Sequence, residues 1–201
     1  MKTLSSAVAV RLTRGCFLFC FLVIALSAFK CGRGGQQQPT ANLPAGLAPS
    51  DVQAAGLVLR QRTETEDMVS RFKKKDFSSS QIEFAKIRYD RSMAKANAAL
   101  DRIRQDITSS PGSEQEAEFR GLAQAAVDDC VVLDSLLETA LNPGISALNL
   151  SNFVLRNANT LPDAWVAVWK ASRKLQAADR QQFLVYLDRE LKWKRWEAVN
   201  E

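Results

Sequence analysis

The sequence contains no histidine. That absence removes the side chain that titrates nearest neutrality, and with it Ser–His and Cys–His nucleophile pairs, the commonest general base and the commonest metal ligand. Cysteine is scarce: Cys16, Cys20, Cys31 and Cys130 are the four, and no two form a CxxC pair. Only Cys130 lies beyond the first 50 residues, so no internal disulfide framework is expected and a zinc site has almost nothing to be built from. A glycine-rich phosphate loop, a GxSxG turn, an HExxH helix and an EF-hand loop are also missing. No stretch sustains the period-two alternation of a half-buried strand. What chemistry remains open to an enzyme would have to use carboxylates or a lysine.

The 201 residues are 46% hydrophobic and 24% charged, an ordinary globular mix that suits one domain with an added arm. The net charge of +5 suggests nucleic acid until its distribution is read. Lys2, Arg11 and Arg14 are three of the 27 basic side chains and precede the apolar N-terminal run, where no acid is found. Residues 28–201 hold the other 24, against 22 acids, for a net charge of +2. The basic character belongs largely to the N-terminus, so no nucleic-acid partner is expected.

Gly15 to Phe29 is 15 residues without a charge, rich in Phe, Leu, Val and Ile. As a helix it would be about 22 Å long, short of the ~30 Å hydrocarbon core. A basic start and a short apolar core fit a secretory signal peptide, with Ala25-Leu26-Ser27 as a small-x-small cleavage site. Residues 1–30 are therefore read as a signal peptide or membrane anchor. Residues 31–50, rich in Gly, Gln, Pro and Ala, are read as a flexible linker. The leader also resembles that of a bacterial lipoprotein, which makes Cys31 a candidate lipidation site. It departs from that pattern at Lys30 and Phe29, where a lipobox carries a small residue before the cysteine.

Residues 51–201 read as helices. A first segment runs from Asp51, capped by Ser50, to about Lys74, with Gly56 interrupting its periodicity. Ser80 with Glu83 fits a capping box for a second helix. Its stripe is Ile82, Ala85, Tyr89, Met93, Ala96, Leu100, Ile103 and Ile107, and Pro111-Gly112 ends it. Ser113 with Glu116 repeats the signal, followed by Phe119, Leu122, Ala126, Cys130, Leu133, Leu137 and Ala140, up to Asn142-Pro143-Gly144. Two long helices joined by so short a turn must form an antiparallel hairpin. Residues 145–155 are ambiguous. Pro162 suits a first helical turn, after which Trp165, Val168, Trp169 and Leu175 share a face. Asp179 with Gln182 can restart a helix bearing Phe183, Tyr186, Leu187 and Leu191. The expected fold is all-α, an antiparallel helical hairpin extended to a small bundle of 4–5 helices.

Few residues invite a chemical role. Asp128 and Asp129 are adjacent on a helix, so their side chains point about 100° apart and cannot serve one reacting bond. Asp129 is expected to meet a Lys or Arg of a neighbouring helix. Cys130 falls on the apolar stripe, where a free cysteine behaves as a small hydrophobe. Glu114, Glu116 and Glu118 suit the positive end of a helix dipole, and Lys73-Lys74-Lys75 suits the negative end. Asn149-Leu150-Ser151 matches a glycosylation acceptor, relevant only in a eukaryotic secretory pathway.

All four tryptophans fall between positions 165 and 196. Trp193 and Trp196, interleaved with Lys192, Lys194 and Arg195, would share a helical face and suit a membrane interface. The alternative, that both rings cover the hairpin while the cations face water, is preferred because a short hairpin needs something large over its stripe.

The expected function is that of a non-catalytic exported protein, in the periplasm or anchored in the cell envelope, without a cofactor. It would act by helix-mediated binding of another envelope protein or by structural support. Two alternatives stand beside it: a carboxylate-dependent enzyme acting on cell-wall polymer, which requires a cleft with two facing acids and a raised pKa, and a peripheral membrane-binding protein using its C-terminus. The layout resembles bacterial envelope proteins in general, and no motif singles out a family.

Overall fold

The computed structural model describes residues 43–110 and 112–199 and, within them, every side chain but those of Phe153 and Arg156. The expected leader, Cys31 and most of the linker lie outside the described residues. Five α-helices follow in order: α1 Pro49–Lys73, α2 Ser79–Asp106, α3 Ser113–Leu141, α4 Ala147–Ser172 and α5 Ala177–Tyr186. A π-turn, Leu187–Leu191, continues α5, and a 3-10 turn, Trp196–Ala198, follows a short extended stretch. Among the described residues there is no strand, and the all-α bundle is as expected.

The two hairpin helices carry the expected stripes, with their starts shifted. The capping box of α2 is Ser78 with Gln81, not Ser80 with Glu83. Ser78 Oγ accepts from Gln81 N at 3.4 Å and Ser78 N donates to Gln81 Oε1 at 3.0 Å. Phe77 stacks on Phe72 just ahead of it, with ring centroids 4.2 Å apart, and this fixes where the chain enters the helix. Helix α3 has Gly112 at its N-cap and no side-chain cap, so Ser113 and Glu116 form no box. Its buried face steps from Phe119 to Ala123, leaving Leu122 exposed, because α3 is packed by three helices and its buried arc is broader than one hairpin seam.

Charge pairs report the register. Arg102 meets Glu118 at 3.1 Å, and Arg91 meets Asp129 at 2.9 Å, so α2 and α3 run antiparallel. Glu116–Lys170 at 2.8 Å and Arg120–Asp163 at 2.6 Å set α3 antiparallel to α4. Helix α1 runs parallel to α3: Thr65 faces Cys130 and Asp134, while Lys75, just past the end of α1, reaches the Leu141 carbonyl at 3.3 Å. Helix α3 is thus central, touching α1, α2 and α4, and α4 also packs on α1.

Three further expectations are corrected. Helix α1 begins at Pro49, with Ala48 rather than Ser50 as its N-cap, and runs through a buried Gly56. Most of the ambiguous stretch 145–155, from Ala147 on, and the segment after Pro162 are one helix, with Ser146 capping it and Pro162 inside it. The run of buried residues at Leu161, Ala164, Trp165, Val166, Val168 and Trp169 outweighs the missing proline N–H. Finally, α5 starts ahead of Asp179, with Gln176 at the N-cap position and no side-chain cap. The end of the expected linker belongs to the domain: Leu43 and Leu47 pack against the core, and Gln182 Nε2 donates to the Leu43 carbonyl at 3.3 Å.

A buried ionic group ties the ends of α2, α3 and α4 together. The Arg173 side chain is fully buried, 3.1 Å from Asp106 and 3.7 Å over the Trp169 ring. Asp106 also accepts from Arg102 Nε at 2.8 Å and Trp169 Nε1 at 3.0 Å. Burial works to raise the Asp106 pKa, but these hydrogen bonds and the two guanidinium charges hold it below the ordinary value.

Candidate functional site

Where helices α1, α3 and α4 meet, they leave an open cleft of about 470 Å³ lined by Glu64, Asp67, Met68, Arg71, Glu138, Asn152 and Asn157. A narrower recess, sharing Glu64 and Asn157 with it, leads to Asp134 and is also lined by Arg60, Gln61 and Thr160. Asp134 is buried on α3 among Leu133, Leu137 and Cys130. Its Oδ1 accepts from Thr65 Oγ1 at 2.8 Å, and Cys130 Sγ lies 3.5 Å from Oδ2 and 3.3 Å from the Thr65 hydroxyl. Burial pushes the Asp134 carboxyl up to about 7. The Thr65 and Cys130 hydrogen bonds oppose this shift, and the charges of Glu64 and Glu138 reinforce it.

Sequence reading missed Asp134. Its signal was positional: it stands one turn after Cys130, between two leucines of the buried stripe. Cys130 is buried as expected, and burial together with the nearby Asp134 raises its thiol pKa, the opposite of what a nucleophile needs. A carboxylate enzyme needed two acids facing one another in a cleft. Here the innermost acid turns instead to a hydroxyl and a thiol, and Asp67 and Glu138 bond to Arg71 and Asn142 of their own or the adjoining segment. Among the described residues, no group of three or more cysteine, aspartate or glutamate side chains is placed to hold a metal ion.

Asp129 behaves as expected, bridging Arg91 at 2.9 Å and Lys95 at 2.5 Å across the hairpin. Burial works to raise its pKa, but the hydrogen bonds from Lys95 and Arg91 bring it below the ordinary value. Asp128 stays on the surface, accepting from Gln124 at 2.8 Å. Glu114 and Glu116 sit in the first turn of α3. The lysine run is more specific than a solvated helix end. Lys75 caps α3, and Lys73 donates to the carbonyls of Trp196 and Val199 at 2.8 and 3.0 Å. Asn149 is exposed in the first turn of α4.

The C-terminal aromatics do not share one α-helix: Trp193 lies on an extended stretch and Trp196 opens the 3-10 turn. Helix and π-turn stop at Leu191, and Lys192 and Arg195 are extended (φ −66°, ψ 129° and φ −68°, ψ 154°). Trp193 and Trp196 are 4% and 5% exposed, with ring centroids 5.8 and 5.7 Å from Tyr89 of α2. The rings placed at a membrane surface by the interface reading are inside the domain, while Lys192, Lys194 and Arg195 face outward. Among the described residues, no helix is long and apolar enough to cross a membrane.

The hairpin has one feature that packing alone does not require. The register set by Arg91–Asp129 brings Ile87 of α2 level with Val132 of α3, one turn beyond that pair, and Phe84 follows along α2. These three side chains are 56%, 48% and 47% exposed. The Arg88 guanidinium covers one face of the Phe84 ring at 5.3 Å. The register thus places exposed apolar side chains of both hairpin helices within about one turn of each other, next to the Arg91–Asp129–Lys95 cluster.

Comparison with protein-family models, with curated proteins and with solved structures finds no match to this chain.

Proposed function

We propose that the chain is a non-catalytic exported protein of the cell envelope that acts by helix-mediated binding of another protein. The observation that carries the binding role is the exposure of Phe84, Ile87 and Val132. Isolated exposed apolar residues are common, but two in register across the hairpin with a third one turn along α2, next to a charged cluster, fit the apolar stripe of a partner helix. Support for export comes from the basic start, the 15-residue apolar run and the Gly/Gln/Pro-rich stretch that follows. Cys31 is the residue on which a lipid anchor would be built.

The binding role is tested by placing a photo-crosslinking residue at position 87 or 132 in the native envelope. One discrete adduct is expected, lost when Phe84→Ser is added. Crosslinking indistinguishable from that of a residue placed at Leu148, on another face, would refute it. Mass spectrometry of the isolated protein tests export: the expected mature chain starts at Ala28 or carries lipid at Cys31, and an intact, unmodified cytosolic chain would count against it.

A carboxylate enzyme remains the second reading, because Asp134 titrates near neutrality beside an acid-lined cleft. It requires that Asp134→Asn abolish turnover of a cell-wall polymer while the helical fold is kept.

A further inference from the structure

Residues 192–199 are held as a bound peptide is held. Its own backbone hydrogen bonds are confined to the 3-10 turn at its far end, and most of its other polar groups are met by side chains of α1 and α2. Arg62 Nη1 donates to the Lys192 carbonyl at 3.0 Å. Trp193 N donates to Asn97 Oδ1 at 3.1 Å, and Lys194 N to Glu66 Oε1 at 3.0 Å. The Tyr89 hydroxyl donates to the Lys194 carbonyl at 2.8 Å, and Lys73 closes the far end on the carbonyls of Trp196 and Val199. Lys86 pairs with the Glu197 carboxylate at 2.8 Å.

Side chains supply the anchors. Trp193, Trp196 and Val199 are all buried, and they recur every third residue. Between Trp193 and Trp196 the backbone is extended, and Val199 follows through the 3-10 turn, whose own period is three residues, so the two stretches continue one buried edge. The residues between them that carry charge, Lys192, Lys194, Arg195 and Glu197, point outward. Regularly spaced buried anchors, with the backbone read by fixed donors and acceptors, are the means by which a groove recognises a peptide segment, here an extended stretch that ends in a 3-10 turn. In this chain the groove and its ligand lie in one molecule, joined at Leu191.

We infer that the α1–α2 groove is a recognition site for the segment Lys192–Val199 as such, and that it takes this segment from a second copy of the chain when its own is displaced. The argument is one of identity. Every copy carries both the groove and its complement, so exchange between two copies keeps each contact named above and alters only the link at Leu191. In dilute solution the tethered segment wins, because its effective concentration is in the millimolar range. Where copies are crowded, reciprocal exchange yields a closed dimer with two-fold symmetry. This site is built from other residues than Phe84, Ile87 and Val132, and the inference does not rest on what binds there.

The test uses two full-length variants and one peptide. Trp193→Ala/Trp196→Ala cannot fill its own groove; Lys73→Ala/Asn97→Ala keeps an intact segment but a weakened groove. A labelled peptide of residues 191–201 should bind the first variant. The same peptide with both tryptophans replaced by alanine should bind roughly 30-fold more weakly or less, as loss of buried aromatic anchors implies. Mixing the two variants should give a 1:1 species in sedimentation velocity that neither forms alone. If the first variant has lost its helical circular dichroism, added peptide should restore it. No binding and no restoration at about 1 mM peptide, the effective concentration expected for a short tether, would overturn the recognition site. Peptide binding without any mixed species would overturn the second copy as its occupant and leave a foreign segment of the same chemistry.

Discussion

Replacing Asp134 by asparagine should abolish a pH dependence that runs opposite to that of most carboxylates. Asp134 titrates at about 7 in the folded chain because burial outweighs the hydrogen bonds from Thr65 and Cys130, and because Glu64 and Glu138 add negative charge nearby. Unfolded, the same carboxyl titrates near 3.9. Between those values the folded state holds a proton that the unfolded state has released, so stability must fall as pH rises. The contribution is complete below about pH 4, declines through the interval, and is lost above about pH 7. At ~1.4 kcal/mol per pH unit the whole effect is of order 4 kcal/mol. Asparagine occupies the same volume and still accepts from Thr65 through its carbonyl, but it does not ionise. The assay is urea denaturation followed by circular dichroism at pH 4, 6 and 8 for both chains. Taking the difference removes the other titrating groups to first order. The asparagine variant should gain about 4 kcal/mol relative to the parent between pH 4 and pH 8. A flat difference, or one of opposite sign, would mean that Asp134 is ionised inside the fold and that the account of its surroundings is wrong.

Ser78→Ala should cost about 1 kcal/mol in denaturant melts through loss of the capping box, whereas Ser80→Ala should stay within about 0.5 kcal/mol. Pro162→Ala should stabilise by about 1–2 kcal/mol. A helix-interior proline costs ~3 kcal/mol, part of which is offset by the stiffness it gives the unfolded chain, so a lower melting temperature would contradict a continuous α4. Asp106→Asn leaves the buried Arg173 without its anion and should cost about 3 kcal/mol. Removing the exposed Arg104–Asp188 pair should cost under about 1 kcal/mol, and the contrast is read from the two midpoints in urea.

The helical hairpin was legible because it depends on periodicity, and the 3.6-residue period of Ala85 to Ile107 has no strong competitor. Boundaries were less so, for local reasons. Three consecutive serines at 78–80 offer overlapping capping frames, and the choice between Ser78-x-x-Gln81 and Ser80-x-x-Glu83 is made by Phe77 stacking on Phe72, a contact with another helix end. Pro162 looked like a start because propensity acts over a few residues, whereas the burial that carries α4 through it is tertiary. The C-terminal tryptophans illustrate a degeneracy: positions three apart align on a helix and also on an extended three-fold segment, so their shared face was foreseeable and their backbone was not. Asp134 was hidden for a different reason. An acid inside an apolar stripe is ordinarily taken for a solvated residue, and only its neighbours Thr65 and Cys130, from two helices, make its burial tolerable.

The packing of residues 192–199 on α1 also sets the order in which the domain can be completed. Its first helix, Pro49–Lys73, finds part of its lining in the last eight described residues, well over a hundred positions downstream. A nascent chain therefore keeps Arg62, Glu66 and Lys73 without these partners until residues 192–199 have been made. Final closure of the groove between α1 and α2 therefore waits for the segment that follows α5, and until then its polar side chains stay open to water.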